Sequence, residues 1–198
     1  MKITQLAPGI ELYSDCFDDI ENLINIAKKL QYTKVDHTTR TVSAWGARKD
    51  ELVRYDEETQ YIWNMVNDKI NECMEHYKNK YHFIDIETEG LMFLEYGVGN
   101  FFNYHLDENQ DVPRTTSVTV YLNDDYDGGE IEYEHFDLKV KPKLGDIAIF
   151  SSSYPYRHRV NLVTKGVRYA VVAWYRWKSL INFYPKTETQ DRVPYNKE

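Results

Sequence analysis

The chain has 198 residues, 42% of them hydrophobic and 28% charged, with a formal charge of −8. That length suits one globular domain with its own core. The negative balance speaks against bare nucleic acid or an anionic membrane as partner. Two cysteines, Cys16 and Cys73, are too few for a disulfide framework and read as reduced, packed thiols.

The opening residues carry no apolar run of signal-peptide length, and no stretch approaches a membrane span. We therefore expect a cytoplasmic protein, not bound to a membrane. In chain order, residues 1–80 read as helical support. Ile20, Leu23, Ile24, Ala27 and Leu30 recur at helix spacing, with Asp18 and Glu21 as a capping box. A second helix follows Asp56, with Ile62, Met65, Val66, Ile70, Cys73, Met74 and Tyr77 on one stripe. Between them, Val35 to Tyr55 is polar and weakly periodic. It reads as a short strand pair or a mobile loop, and its mixture of Trp45 with Arg40, Arg48 and Lys49 suggests a lid over a substrate across residues 36–54.

From Tyr81 the pattern changes to eight short β-rich runs separated by turn signals such as Asp127-Gly128-Gly129 and Lys165-Gly166. This rhythm predicts a mainly β fold with N-terminal helices. The architecture expected is a jelly roll, cupin-like, over about 81–178, with a polar tail from 182 to 198.

The sharpest local feature is His105-Leu106-Asp107, because residues two apart on a strand share a face. With His158, 53 residues later, they make two imidazoles and one carboxylate, the set that binds one face of a metal and leaves positions open. The plain alternative is a pair of hydrogen-bonded structural histidines. Arg168 opens a run that is apolar on both faces, so its guanidinium needs an anion. A protein carboxylate would serve, and so would the distal carboxylate of a dicarboxylic co-substrate. A turn near Val163 would set His158 opposite Arg168 in one hairpin. His135 and the acidic residues Glu130, Glu132 and Glu134 read as a solvated strand face, not as ligands.

YGVGNFFNYHLD, RTTSVTVYLND, GGE, KPKLGDIAIF, His158 and GVRYAVVAWY occur in the order seen in iron(II)- and 2-oxoglutarate-dependent dioxygenases of the prolyl 4-hydroxylase type. The resemblance covers about Leu91 to Trp177. It implies a double-stranded β-helix in which His105, Asp107 and His158 bind Fe(II) and Arg168 pairs with 2-oxoglutarate. Tyr121 and Tyr96 match co-substrate-pocket tyrosines, and Arg114 and Trp174 match substrate-contacting positions. Arg114 and Tyr121 are seven apart, so a bulge must intervene, or Arg114 must precede the strand, for both to face the pocket. The implied reaction hydroxylates a C–H bond of a peptide or protein, peptidyl proline first, with O₂ consumed, succinate and CO₂ released, and ascorbate as a candidate reductant. The presence of Asp107 favours hydroxylation over halogenation. Alternative substrates are another amino-acid side chain or a small metabolite. A different class of reading is a jelly-roll module that binds metal or ligand without turnover. Oligomeric state is not legible.

Overall fold

A computed structural model describes residues 1–82, 86–108 and 113–178. The polar tail expected over 182–198 lies outside the described residues. The elements are β1 (Lys2–Ala7), β2 (Ile10–Ser14), α1 (Ile20–Ala27), β3 (Thr33–His37), β4 (Arg40–Ala47), α2 (Glu57–Tyr81), β5 (Ile86–Tyr96), β6 (Phe101–His105) and β7 (Arg114–Tyr121). They continue with β8 (Asp127–Gly128), β9 (Ile131–Tyr133), β10 (Leu138–Val140), β11 (Ile147–Ser151), β12 (His158–Val160), β13 (Val163–Lys165) and β14 (Arg168–Trp177).

Twelve of these strands form one antiparallel sheet in the order β1-β2-β11-β7-β14-β5-β4-β6-β12-β9-β10, with β3 paired to β4. The ladder turns at β4. Ser43–Ala47 pair with β5, while Arg40 and Thr41 pair with Phe102 and Phe101 of β6. The nearly closed jelly roll that results has two apolar regions. Inside lie Val42, Leu94, Tyr96, Val160 and Val163, with Ile10, Ile131, Tyr133 and Phe150 beside them. Outside, Val118, Val120, Ile147, Ile149, Val171 and Ala173 meet the helices. The strand β14 is therefore apolar on both faces because it has a core on each, as its sequence predicted.

The helix α2 carries the expected stripe: Ile62, Val66, Ile70, Cys73, Met74 and Tyr77 are buried. It packs on β7 and β11. The Asp56 carboxylate caps it, accepting from the Thr59 amide at 2.7 Å. For α1 the cap is Asp19, bonded to the Asn22 amide, not the Asp18–Glu21 box. Cys16 and Cys73 are free, buried thiols with Sγ atoms 3.9 Å apart.

Two expectations change. Helical support does not begin at residue 1: β1 and β2 form a hairpin that adds to the sheet through β11. The signal was Pro8-Gly9, where Gly9 takes φ +72° and closes the turn between two alternating runs. The stretch read as strand pair or loop is the strand pair. Because β4 is bonded to β3, β5 and β6, the part of the expected lid segment that lies in β3 and β4 is built into the wall. Among the described residues no helix is long and apolar enough to cross a membrane.

Loss of the Asp56 cap should be visible in stability. Asp56→Ala should cost about 1 kcal/mol, and Asp56→Asn much less, in urea unfolding followed by far-UV circular dichroism.

Candidate metal centre and anion pocket

Two paired strands bring the His-x-Asp pair and the distant histidine together. His105 closes β6, Asp107 follows it, and His158 opens β12, where it is the cross-strand partner of His105. The ligating atoms of these three residues all lie within 4.8 Å of one another. Asp107 Oδ1 is 3.5 Å from His105 Nε2, and Asp107 Oδ2 is 3.8 Å from His158 Nε2. Each imidazole is held by its other nitrogen. His105 Nδ1 lies 2.8 Å from the Asn103 carbonyl, and His158 Nδ1 lies 3.1 Å from the Tyr156 carbonyl. A carbonyl can only accept, so Nδ1 carries the proton and each Nε2 lone pair faces the space between the three groups.

The carboxylate is positioned just as closely. The Ser117 hydroxyl donates to Asp107 Oδ2 at 2.6 Å and stands 2.8 Å from the Ser152 hydroxyl. Burial pushes the Asp107 carboxyl up. The neighbouring His105 and His158 rings and the Ser117 hydroxyl outweigh it and hold the group well below the usual carboxylate range. Burial holds the His158 imidazole down at about 4, against the pull of Asp107. Neutral imidazoles and an ionised carboxylate are the protonation states that a divalent cation requires. Phe102 stacks on His105 at 3.6 Å, and Tyr133 and Phe150 pack against the His158 ring.

The same cavity contains Arg168, 1% exposed on β14. Among the described residues no carboxylate pairs with it. Its Cζ lies 5.0 Å from the Tyr96 ring and 5.3 Å from the Tyr121 ring. Its Nε, and the Tyr121 and Tyr126 hydroxyls near it, are buried without a hydrogen bond of standard geometry. Burial pushes the Tyr121 phenol up despite Arg168, so it remains a donor. A buried guanidinium beside phenol donors has the chemistry to pair with a carboxylate. Gly129 makes room for it: at φ +64°, an added Cβ would sit 3.0 Å from Arg168 Cδ.

His158 and Arg168 share the cavity but not a hairpin. β12 pairs with β6 and β9, whereas β14 pairs with β5 and β7, with Arg168 opposite Tyr96. The chain between them is taken up by β13, which bonds to β8 instead of continuing a two-strand turn. Arg114 does turn toward Trp174, with Cζ 3.9 Å over the indole, because the ladder slips between Tyr175 and Arg176 and supplies the bulge. Its charge, however, is held by a fork to Glu89, at 3.1 Å from Nε and 2.7 Å from Nη2. It lines a groove beside the cavity, and Trp174 lines both. Glu132 is tied to Arg159 and Tyr104, consistent with a structural strand face. Sequence reasoning missed Ser117, Ser152, Tyr126, Gly129 and the cavity-lining role of Arg40. Ser117 stands opposite Trp174 on the face that β14 turns inward, a pairing between distant strands that the sequence does not signal.

These protonation preferences set a pH dependence. Above its ordinary value of 6.5, His158 is neutral whether folded or unfolded and its contribution to stability is complete. Between 6.5 and about 4 only the unfolded chain gains the proton, so stability falls. In chelator, the metal-free protein should lose about 3 kcal/mol across that window through this residue. His158→Gln should flatten the slope in urea midpoints. An unchanged slope would contradict the burial of a neutral imidazole.

Residues 91–176 match the model described as 2OG-Fe(II) oxygenase superfamily. The chain is similar to prolyl 3-hydroxylase 2 of Mus musculus, 42% identical over 67 residues, which cover 31% of this chain and 10% of that protein. It is also similar to a PKHD-type hydroxylase of Psychrobacter sp., 29% identical over 182 residues, covering 78% of this chain and 67% of that one. The chain thus matches only about a tenth of the length of prolyl 3-hydroxylase 2. In fold it resembles the viral collagen prolyl hydroxylase of Paramecium Bursaria Chlorella virus-1, solved as a 2OG complex, with TM-score 0.66 at 21% identity. That likeness covers 85% of this chain and 96% of the viral one. Residues 91–176, the segment that matches the 2OG-Fe(II) oxygenase superfamily model, carry the His-Asp-His group and the buried arginine on the strands of a jelly roll.

Proposed function

We propose that the protein is an Fe(II)- and 2-oxoglutarate-dependent dioxygenase that hydroxylates a C–H bond of a peptide or protein, peptidyl proline first. Succinate and CO₂ are the co-products. The observation that carries the reading is the sharing of one cavity by a metal-ready His105–Asp107–His158 group and an unpaired, buried Arg168. Relatives named as prolyl hydroxylases support the substrate class. The net charge of −8 argues against nucleic acid as the substrate.

When bound, iron and 2-oxoglutarate together supply the oxidative chemistry. The chain supplies geometry and protonation. His105 and His158 would present their Nε2 lone pairs, and Asp107 would present an ionised carboxylate fixed by Ser117. Arg168 would hold the distal carboxylate of 2-oxoglutarate, with the Tyr121 phenol as donor and Tyr96 walling the pocket. Tyr133 and Phe150 exclude water behind His158. Trp174, braced by the Arg114–Glu89 pair, would form the wall against which substrate lies. A reductant such as ascorbate would sustain repeated turnover.

Succinate release from 2-oxoglutarate, with mass spectrometry of a proline-rich peptide library, tests this. Wild type should release succinate and add one oxygen atom to product. Asp107→Ala should abolish both. Arg168→Ala should raise the 2-oxoglutarate requirement roughly thirtyfold or more, from the ~2–5 kcal/mol cost of breaking a buried charge pair. Ser117→Ala should weaken metal binding about 10–100-fold, as loss of an orienting partner does. Succinate without any modified proline peptide would move the substrate to another side chain or a small metabolite. Metal binding without succinate would favour a non-catalytic binding module.

A further inference from the structure

The residues lining the metal cavity differ in burial, and that difference orders them by depth. Arg168, Tyr96 and His158 are 1%, 1% and 6% exposed and form the floor and wall. Arg40, Phe102, His105 and Trp174 are only half-buried and form the rim. Arg40 opens β4 at the point where the sheet turns, and its Cζ stands 5.3 Å over the Phe102 ring. Phe102 in turn lies stacked on His105. Among the described residues no carboxylate lies within ion-pair distance of Arg40. Three other guanidiniums are paired: Arg114 with Glu89, Arg157 with Glu134 and Arg159 with Glu132.

Charge balance then says what Arg40 is for, given the dioxygenase reading on which this step rests. A divalent iron, the Asp107 carboxylate, a doubly negative 2-oxoglutarate and the Arg168 guanidinium sum to neutrality. Arg40 is the remaining cation lining the cavity, and it stands at the half-buried rim while Arg168 is fully buried. A neutral substrate would leave it unmatched while shielding it from water, whereas a substrate carboxylate would neutralise it through a guanidinium fork. Met92 and Trp174 line both the cavity and the neighbouring groove of Arg48, Glu51, Glu89 and Arg114. A groove beside the cavity suits an extended chain.

We propose that Arg40 is a specificity-determining residue that selects peptides carrying an acidic side chain next to the residue to be hydroxylated.

The test uses fluorescein-labelled decapeptides with a central proline flanked by Asp, by Asn or by Lys. Binding to the full chain is read by anisotropy with Mn(II) and 2-oxoglutarate present and oxygen excluded. Wild type should bind the Asp peptide about fivefold more tightly than the Asn peptide, the range of a half-exposed ion pair, and the gap should narrow as salt rises. Arg40→Ala should erase the gap, Arg40→Lys should keep part of it, and R40E should reverse it in favour of the Lys peptide. Equal binding of Asp and Asn peptides by wild type would overturn the proposal. So would a gap that survives Arg40→Ala, or a loss of 2-oxoglutarate affinity in that variant with peptide discrimination intact. Succinate release by wild type, measured in parallel, keeps the two readings apart. Discrimination without succinate would support Arg40 and sink the dioxygenase. Succinate without discrimination would do the opposite.

Discussion

A guanidinium buried to 1% exposure, with no carboxylate beside it among the described residues, is costly to keep in this barrel, and the site is organised around it. Nothing in the apolar packing of β14 needs Arg168. The same position filled by a hydrophobic residue would match Ala170 and Val172, which follow it on the inward face. What sustains the charge is a shell of phenols from Tyr96, Tyr121 and Tyr126, and the space that Gly129 leaves against its stem. That shell stabilises a cation without neutralising it. An acid entering the cavity therefore gains a pairing that the folded chain has already arranged, with little reorganisation left to occur.

The His105–Asp107–His158 group follows the same logic of advance positioning. Two backbone carbonyls fix which nitrogen of each imidazole carries the proton, and Ser117, itself bonded to Ser152, fixes the carboxylate. The three residues come from β6, from just beyond it and from β12, which pairs directly with β6, while β6 joins the rest of the sheet at β4. That junction also carries Arg40 to the cavity rim. The metal-ready group, the enclosed anion pocket and the charged edge thus share one cavity.

Much of this was legible in the sequence. His105 and Asp107 share a side because they are two apart, and Arg168 announced itself as a charge on a strand apolar on both faces. The stripe on α2 and the strand rhythm after residue 81 needed only periodicity. What periodicity could not reach were pairings between distant strands. The partner of β12 is β6 and not β14, so the anticipated His158–Arg168 hairpin gave way to two walls of one cavity. Arg114 required a one-residue slip that no local pattern encodes, and its fork to Glu89 joins residues 25 apart. The hairpin of β1 and β2 was signalled by Pro8-Gly9 but was overshadowed by the helical stripes that follow.

The most direct measurement is a crystal structure grown without oxygen in the presence of Mn(II) and 2-oxoglutarate, with the metal located by its anomalous signal. The account predicts one metal peak bounded by His105 Nε2, His158 Nε2 and the Asp107 carboxylate, and a dicarboxylate whose far end lies against Arg168. A metal bound elsewhere, or a dicarboxylate that leaves Arg168 unpaired, would contradict it.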